Sequence, residues 1–271
     1  MKRLDQAMVA RQLVSSRTVA VRHIQAGEVT VNGLSVTKPA TKIAADALIE
    51  LTASGPQYAS RAGHKLVGAL ERFNQVQVPG ARCLDAGAST GGFTDVLLQH
   101  GAKEVIAVDV GHDQIVQRLR TDPRVDVREG VNVRYLALAD LGDPVDIVVS
   151  DLSFISLTLV LEALTAVSAP GAHLILMVKP QFEIGRERLP KTGVVSDPVQ
   201  RRAAVLGVID AALTHGLNPR GLTASPLPGQ DGNKEFFLWA TRPEPSAYRQ
   251  DTVDAAEWLE AQQVEWDDEL G

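Results

Sequence analysis

Between residues 82 and 178, short apolar runs at 82–85, 104–109, 125–128, 145–150 and 173–178 recur with helical stretches at 92–100, 113–121 and 156–168 among them. A helical stretch at 61–74 precedes the set. Another at 198–215 follows it, with two further strand-like runs in "GLTASPLPG" and "KEFFLWATR". Strands alternating with helices predict an α/β domain: a parallel sheet with helices on both faces. In such a sheet, ligands bind at the carboxyl ends of the strands. The turns that follow the strands are therefore where function is to be sought.

A chain of 271 residues, 45% hydrophobic, has room for that domain and a small second one. No apolar run approaches the ~20 residues of a membrane span. The start, "MKRLDQAMVARQ", lacks an apolar signal core, so export is not expected. The single cysteine, Cys83, rules out an internal disulfide, suits a reducing cytoplasm and reads as a core residue. His64 and His112 have no metal-ligand company, and no metal site is expected.

The net charge of −6 hides an uneven distribution. Residues 1–65 carry nine Lys or Arg against four Asp or Glu, whereas residues 244–271 carry nine acids and one Arg. A basic head can meet a polyanion; the acidic tail cannot. Within the head, 3–26 reads as two short helices. "EVTVNGLSVTKP" then alternates apolar residues around Asn32-Gly33, a strong hairpin signal, and "ALIEL" supplies a last strand. "TASGPQ" reads as a linker. The tail beyond 243 is expected to be mostly solvated, with Trp258 and Trp266 the residues that argue for docking.

The turn after the first strand is "ARCLDAGASTGGFTD". Its spacing is Asp85-x-Gly87-x-x-x-Gly91, with Ser89 where a dinucleotide fingerprint has a second glycine. Class I methyltransferases use this form for S-adenosylmethionine. Glycine lets the backbone approach the ligand and turn into the helix, and an acid such as Asp85 suits an ammonium better than a diphosphate. The next strand ends on Asp109, 22 residues beyond Gly87, where a carboxylate grips ribose hydroxyls. Ala88, Ser89 and Phe93 complete the turn; Asn132, after the third strand, lies where adenine usually rests. A tight turn and a strand-ending Asp are the plainer alternative, as is a core role for Phe93.

Two strands run directly into charge: "VDIVVSDLSFISL" into Asp151 and "AHLILMVKPQFE" into Lys179. Lys65 in "SRAGHKL" and Glu235 in "GNKEFF" complete two lysines and two carboxylates able to neutralise one another in one pocket. Each alone reads more simply as a strand-end cap or surface ion pair. Together they suit methyl transfer to a ribose 2′-hydroxyl, whose proton must leave as oxygen attacks the sulfonium carbon. A lysine amine can take it only where desolvation or a second cation lowers its proton affinity. Lys179 is the expected base and Asp151 would orient it; Glu235 would position Lys65 or the hydroxyl. Phe154 has the option of stacking on a flipped base, although a core contact is the expectation.

"SRAGHKL", "DAGASTGGFTD", "SDLSFISL" and "VKPQFE" together resemble the TlyA (hemolysin A) family of ribosomal RNA 2′-O-methyltransferases across nearly all of 1–243. The resemblance implies a class I, Rossmann-like catalytic domain similar to the FtsJ type, with Lys65, Asp151, Lys179 and Glu235 as its catalytic tetrad. It implies transfer of a methyl group from S-adenosylmethionine to a cytidine 2′-oxygen in ribosomal RNA, free or in ribosomal subunits. "RLD", "SSRTVAVRHIQAG" and "VTVNGLSVTKP" resemble a small α+β RNA-binding module shared with a ribosomal protein. Its Arg3, Arg11, Arg17, Arg22 and Lys38 would meet phosphates, which positions the protein without reading sequence. The expected organisation is a module at 1–54, a linker at 55–60, a catalytic domain at 61–243 and an acidic extension at 244–271. Two departures from the family pattern are Gln12, where glycine is common, and Ala59 in "YASR", where valine is usual. The rival readings are a non-catalytic RNA-binding assembly factor, a methyltransferase acting on a base or protein, and a membrane-lytic hemolysin. The last lacks any spanning segment or strongly basic amphipathic helix.

Overall fold

The computed structural model describes residues 2–11, 13–14, 16–25, 27–44, 46–51, 58–244 and 253–267. Gln12 and the "TASGPQ" linker lie outside them. The chain divides into two compact units between residues 57 and 58.

In the first unit, helices Leu4–Ala10 and Arg17–Gln25 bury Leu4, Ala7 and Met8 with Ala20 and Ile24. Strands Val29–Val31 and Leu34–Ser35 form the hairpin, with Asn32 at φ +51° and Gly33 at φ +79°. Two successive positive φ angles are what an Asn-Gly hairpin turn requires. Asn32 Oδ1 accepts the Leu48 N–H at 2.8 Å, tying the turn to the strand Ile49–Leu51, which pairs with Val29–Val31. A two-residue pairing of Lys2–Arg3 with Lys42–Ile43 is too short to leave a periodic signal in sequence.

The second unit is built on seven strands: β1 (Arg82–Ala86), β2 (Glu104–Asp109), β3 (Val125–Glu129), β4 (Val145–Ser150), β5 (Ser168–Val178), β6 (Asn218–Ala224) and β7 (Phe236–Thr241). Their spatial order is 3-2-1-4-5-7-6. β1 to β5 run parallel, as expected. The expectation of a wholly parallel sheet fails at one strand: β7 is antiparallel to both its neighbours. The reason lies in its connection. Residues 225–235 contain no helix, and a loop without a crossover can join only antiparallel neighbours. β5 and β6, joined through the 17-residue helix Pro198–Thr214, keep the common direction.

Alternate residues of the strands feed two cores. Leu84, Val148, Leu174 and Leu176 pack with Leu161, Leu164, Val205 and Val208 on one face. Cys83, Val105, Val149 and Ile175 pack with Leu66, Ala69, Phe93 and Leu97 on the other. Cys83 is fully buried, and burial pushes its thiol up to about 12, so it is inert packing.

Most of the tail residues 253–267 are exposed, as expected, yet one segment docks. Ala255–Glu260 is helical, capped by Asp254, and buries Ala255 and Leu259 in the first of these cores, with Trp258, Val264 and Trp266 packed against it. So few apolar residues among so many acids hid the docking face. The helical expectations at 113–121 and 156–168 are also too generous: only Gln117–Arg120 and Leu161–Val167 are α-helical, the latter preceded by a 3-10 turn at Leu157–Leu159. No helix among the described residues is long and apolar enough to cross a membrane.

Candidate active site

β1 ends at Ala86 and the chain enters the glycine turn. Gly87 has φ +93°, and a Cβ there would stand 2.9 Å from the Asp151 carbonyl oxygen. No other residue fits, so the turn lies directly against the chain leaving β4, where Asp151 N–H donates to Ala86 O at 3.2 Å. Gly91, at φ +96°, starts the helix Gly92–Gln99; a Cβ there would strike Leu119. Asp109 holds the turn itself: its carboxylate accepts the N–H of Ser89 at 2.8 Å and that of Gly111 at 2.7 Å. Each oxygen keeps acceptor capacity beyond those bonds.

Asp85 lies wholly buried beneath the turn. The Thr94 hydroxyl donates to Oδ2 at 2.6 Å, while Oδ1 has no hydrogen-bond partner. Burial pushes this carboxyl up to about 7 against the pull of Thr94, with the Asp151 and Asp109 charges adding to the rise. The orphaned, buried carboxylate oxygen of Asp85 is a feature that fits a cationic group held at this turn.

A cleft of about 480 Å³ opens beside the turn. Lys65, Gly87, Ala88, Ser89, Phe93, Asp151, Lys179 and Glu235 line it. Asp85, Gly91, Asp109 and Asn132 do not. Asn132 is exposed and takes the plainer role, accepting the Arg134 N–H to cap the turn Val133–Tyr135. Phe93 lines the cleft but is 3% exposed and packs 6.2 Å from Phe237, so it is also core.

The four ionisable residues form two pairs. Lys65 Nζ donates to Glu235 Oε2 at 2.6 Å, with the residues 5% and 3% exposed. Lys179 Nζ lies 2.6 Å from Asp151 Oδ1 and donates to Ser153 Oγ at 3.0 Å. The Lys179–Asp151 contact is ionic without the alignment of a hydrogen bond, for Asp151 Oδ1 is otherwise unpartnered. Asp151 and Lys179 arrive because β4 and β5 end side by side. Glu235 arrives because β7 is reversed: its start lies at the edge where the parallel strands finish, with Phe236 opposite Val178. Lys65 comes from the helix Ala62–Arg72, which packs on the Gly92–Gln99 helix.

Sequence reasoning missed Ser153, and it misplaced Phe154. Far from being core, Phe154 is 92% exposed at the cleft, with φ +65° and its ring 5.3 Å from that of Phe182. The positive φ turns it away from the interior its apolar side chain suggested. The link of Asp95 to Arg118 and to the Ala59 N–H was also unmarked, because nothing in the spacing announces it.

In the first unit, Arg3 and Arg17 both bind Asp5, whose carboxyl they hold down at about 2 despite its burial. Arg11 donates to Ala47 O at 2.5 Å. Arg22 and Lys38 are exposed and make no ion pair among the described residues. No group of His, Cys, Asp and Glu among those residues is arranged to hold a metal.

Sheet order, glycine turn and cleft together define a methyltransferase domain of the S-adenosylmethionine-dependent class. Residues 58–242 match the FtsJ-like methyltransferase family and residues 2–49 match the S4 domain; the chain belongs to the TlyA branch of the FtsJ-like methyltransferases. It is 50% identical over 238 residues to the 16S/23S rRNA (cytidine-2′-O)-methyltransferase TlyA of Mycobacterium tuberculosis, covering 88% of each chain. It is 39% identical to Hemolysin A of Brachyspira hyodysenteriae, over 87% of this chain and 98% of that one. A solved structure from Streptococcus thermophilus, described as a hemolysin, aligns with a TM-score of 0.71 at 37% identity, over 96% of this chain and 94% of the other.

Proposed function

We propose that this enzyme methylates the 2′-oxygen of a cytidine in ribosomal RNA, with S-adenosylmethionine as donor and Lys179 as general base. The observation that carries the reading is the pair of lysines and pair of carboxylates lining one cleft beside the glycine turn. Gly87, Ala88, Ser89 and Asp109, with Asp85 beneath, would hold the cofactor. When bound, it supplies an electrophilic methyl group on a sulfonium. The ribose hydroxyl would be the group that receives the methyl, and Lys179 Nζ, in its neutral amine form, would take the hydroxyl proton. Asp151 and Ser153 aim the amine. Glu235 and Lys65 neutralise one another and present a hydrogen-bonding edge to the acceptor sugar. Phe154, exposed at the mouth, offers a ring on which a flipped base can stack.

The first unit supplies affinity. Residues 1–54 are assigned as the RNA-binding module, 55–60 as linker and 61–243 as the catalytic domain. Of the five candidate residues, Arg22 and Lys38 are exposed with no ion pair among the described residues, while Arg3 and Arg17 share their charge with Asp5. Ribosomal RNA as substrate places the work in the cytoplasm. The name of the TlyA relative supports the acceptor, and base or protein methylation does not call for a two-lysine pocket.

The test is chemical. Purified protein is given labelled S-adenosylmethionine and ribosomal subunits, and the RNA is digested to nucleosides. Label in 2′-O-methylcytidine is expected; label in a base or in protein overturns the reading.

A further inference from the structure

We propose that Glu183 is a positioning residue, a latch that holds the loop after β4 against the turn after β5 and so sets the geometry of the acceptor side of the cleft. The loop carries Asp151, Ser153 and Phe154; the turn carries Lys179 and Phe182. The functional consequence rests on the methyl-transfer reading above, while the latch itself rests on geometry alone.

Glu183 closes the short helical turn Pro180–Glu183. Its Oε2 accepts the Ser156 hydroxyl at 2.5 Å and its Oε1 accepts the Leu157 N–H at 2.9 Å. Leu157 opens the 3-10 turn Leu157–Leu159, whose first N–H groups have no partner inside the turn. Ser156 Oγ in addition accepts the Thr158 N–H at 3.1 Å and contacts Thr158 Oγ1 at 2.7 Å. One carboxylate, arriving from a different strand end, thus organises the whole cap.

The two segments meet at three rungs. Lys179 reaches Asp151 and Ser153, Phe182 faces Phe154, and Glu183 grips Ser156 and Leu157. The innermost rung holds the reacting amine. The middle rung includes Phe154 at φ +65°, a conformation that persists only where the surroundings over-determine it. The outermost rung supplies that determination. Glu183 does not line the cleft, so it acts through the residues it holds. Burial raises its carboxyl above the usual range against the pull of Ser156 and Leu157. A carboxylate held there at that cost fits a role in which its two hydrogen bonds matter.

Two variants and two readouts test the latch. Glu183→Ala removes both acceptors. Glu183→Gln keeps an oxygen for Leu157 N–H and an amide for Ser156 Oγ, whose own proton turns to Thr158. Amide hydrogen exchange in the free protein should speed up at least tenfold across 152–159 in Glu183→Ala and stay near wild type in Glu183→Gln. In methyl transfer to ribosomal subunits, kcat should fall at least tenfold in Glu183→Ala and largely recover in Glu183→Gln, with S-adenosylmethionine affinity within twofold throughout. If Glu183→Ala does not fold, Ser156→Ala, which deletes one hydroxyl, should show the same local loosening to a smaller degree. Unchanged exchange in these variants overturns the latch. So does loosening with full kcat, or a kcat loss matched by a loss of cofactor affinity. A wild-type protein that transfers no methyl to ribosomal RNA defeats the functional reading instead, and the exchange measurement still judges the latch.

Discussion

Val178 and Phe236 face each other across β5 and β7. Because the two strands are antiparallel, Lys179, which follows Val178, and Glu235, which precedes Phe236, leave the sheet at the same edge. The reversed strand thus does what no parallel strand could: it brings the residue that precedes it, not the one that follows it, to the cleft.

The Lys65–Glu235 pair is almost out of water, so breaking it leaves a buried charge. Glu235→Ala should cost about 3–5 kcal/mol in urea unfolding. Lys65→Met with Glu235→Leu should recover most of that stability and none of the activity. A double variant as unstable as the single one, or still active, contradicts the assignment of this pair to function over fold.

Much of the fold and of the cleft is legible in the sequence. The parallel strands, the glycine turn, Asp151 and Lys179 at strand ends and the Asn32-Gly33 hairpin each follow from local chemistry that periodicity or turn residues display. What escapes is set by tertiary context. The direction of β7 depends on a loop that could have gone either way. The exposure of Phe154 depends on a single backbone angle. The partners of Glu183 and Asp95 lie far along the chain, and the docking of the tail rests on a few apolar residues among many acids.

Asp85 should give stability a pH dependence of its own. Its folded carboxyl sits at about 7 against an ordinary 3.8. A raised acid contributes no penalty below about pH 4; the penalty grows as pH rises from 4 to 7 and is constant above that. Relative to Asp85→Asn, the wild type should therefore lose up to about 4 kcal/mol between pH 4 and pH 8. Parallel stability curves for the two proteins would show that Asp85 titrates normally.

Among the described residues of the acidic tail, 253–267, a few pack into the fold. Arg201 is fully buried and donates to Val195 O and to Trp266 O, both at 2.8 Å; the Trp266 ring lies 5.0 Å from that of Phe236, next to Glu235. Deleting residues from Val253 onward takes one acceptor from the buried Arg201 as well as apolar cover. A loss of about 3 kcal/mol or more in urea unfolding is expected. An unchanged midpoint would mean that the tail merely rests on the surface.

In the first unit, Arg22→Ala and Lys38→Ala should each weaken RNA binding at every sequence and reduce the slope of log affinity against log salt by about 1. Arg3→Ala and Arg17→Ala should reduce it less, since Asp5 already claims part of their charge. An equal effect from all four would show that RNA displaces Asp5.

The most direct trial of the account is Lys179→Ala, assayed for turnover on ribosomal subunits and, separately, for S-adenosylmethionine affinity by calorimetry. If the proposed role as base for the acceptor's proton holds, kcat should fall by about 10²-fold or more while the cofactor dissociation constant stays within a few-fold of wild type. Retained turnover, or loss of cofactor binding in step with turnover, would contradict the role given to Lys179.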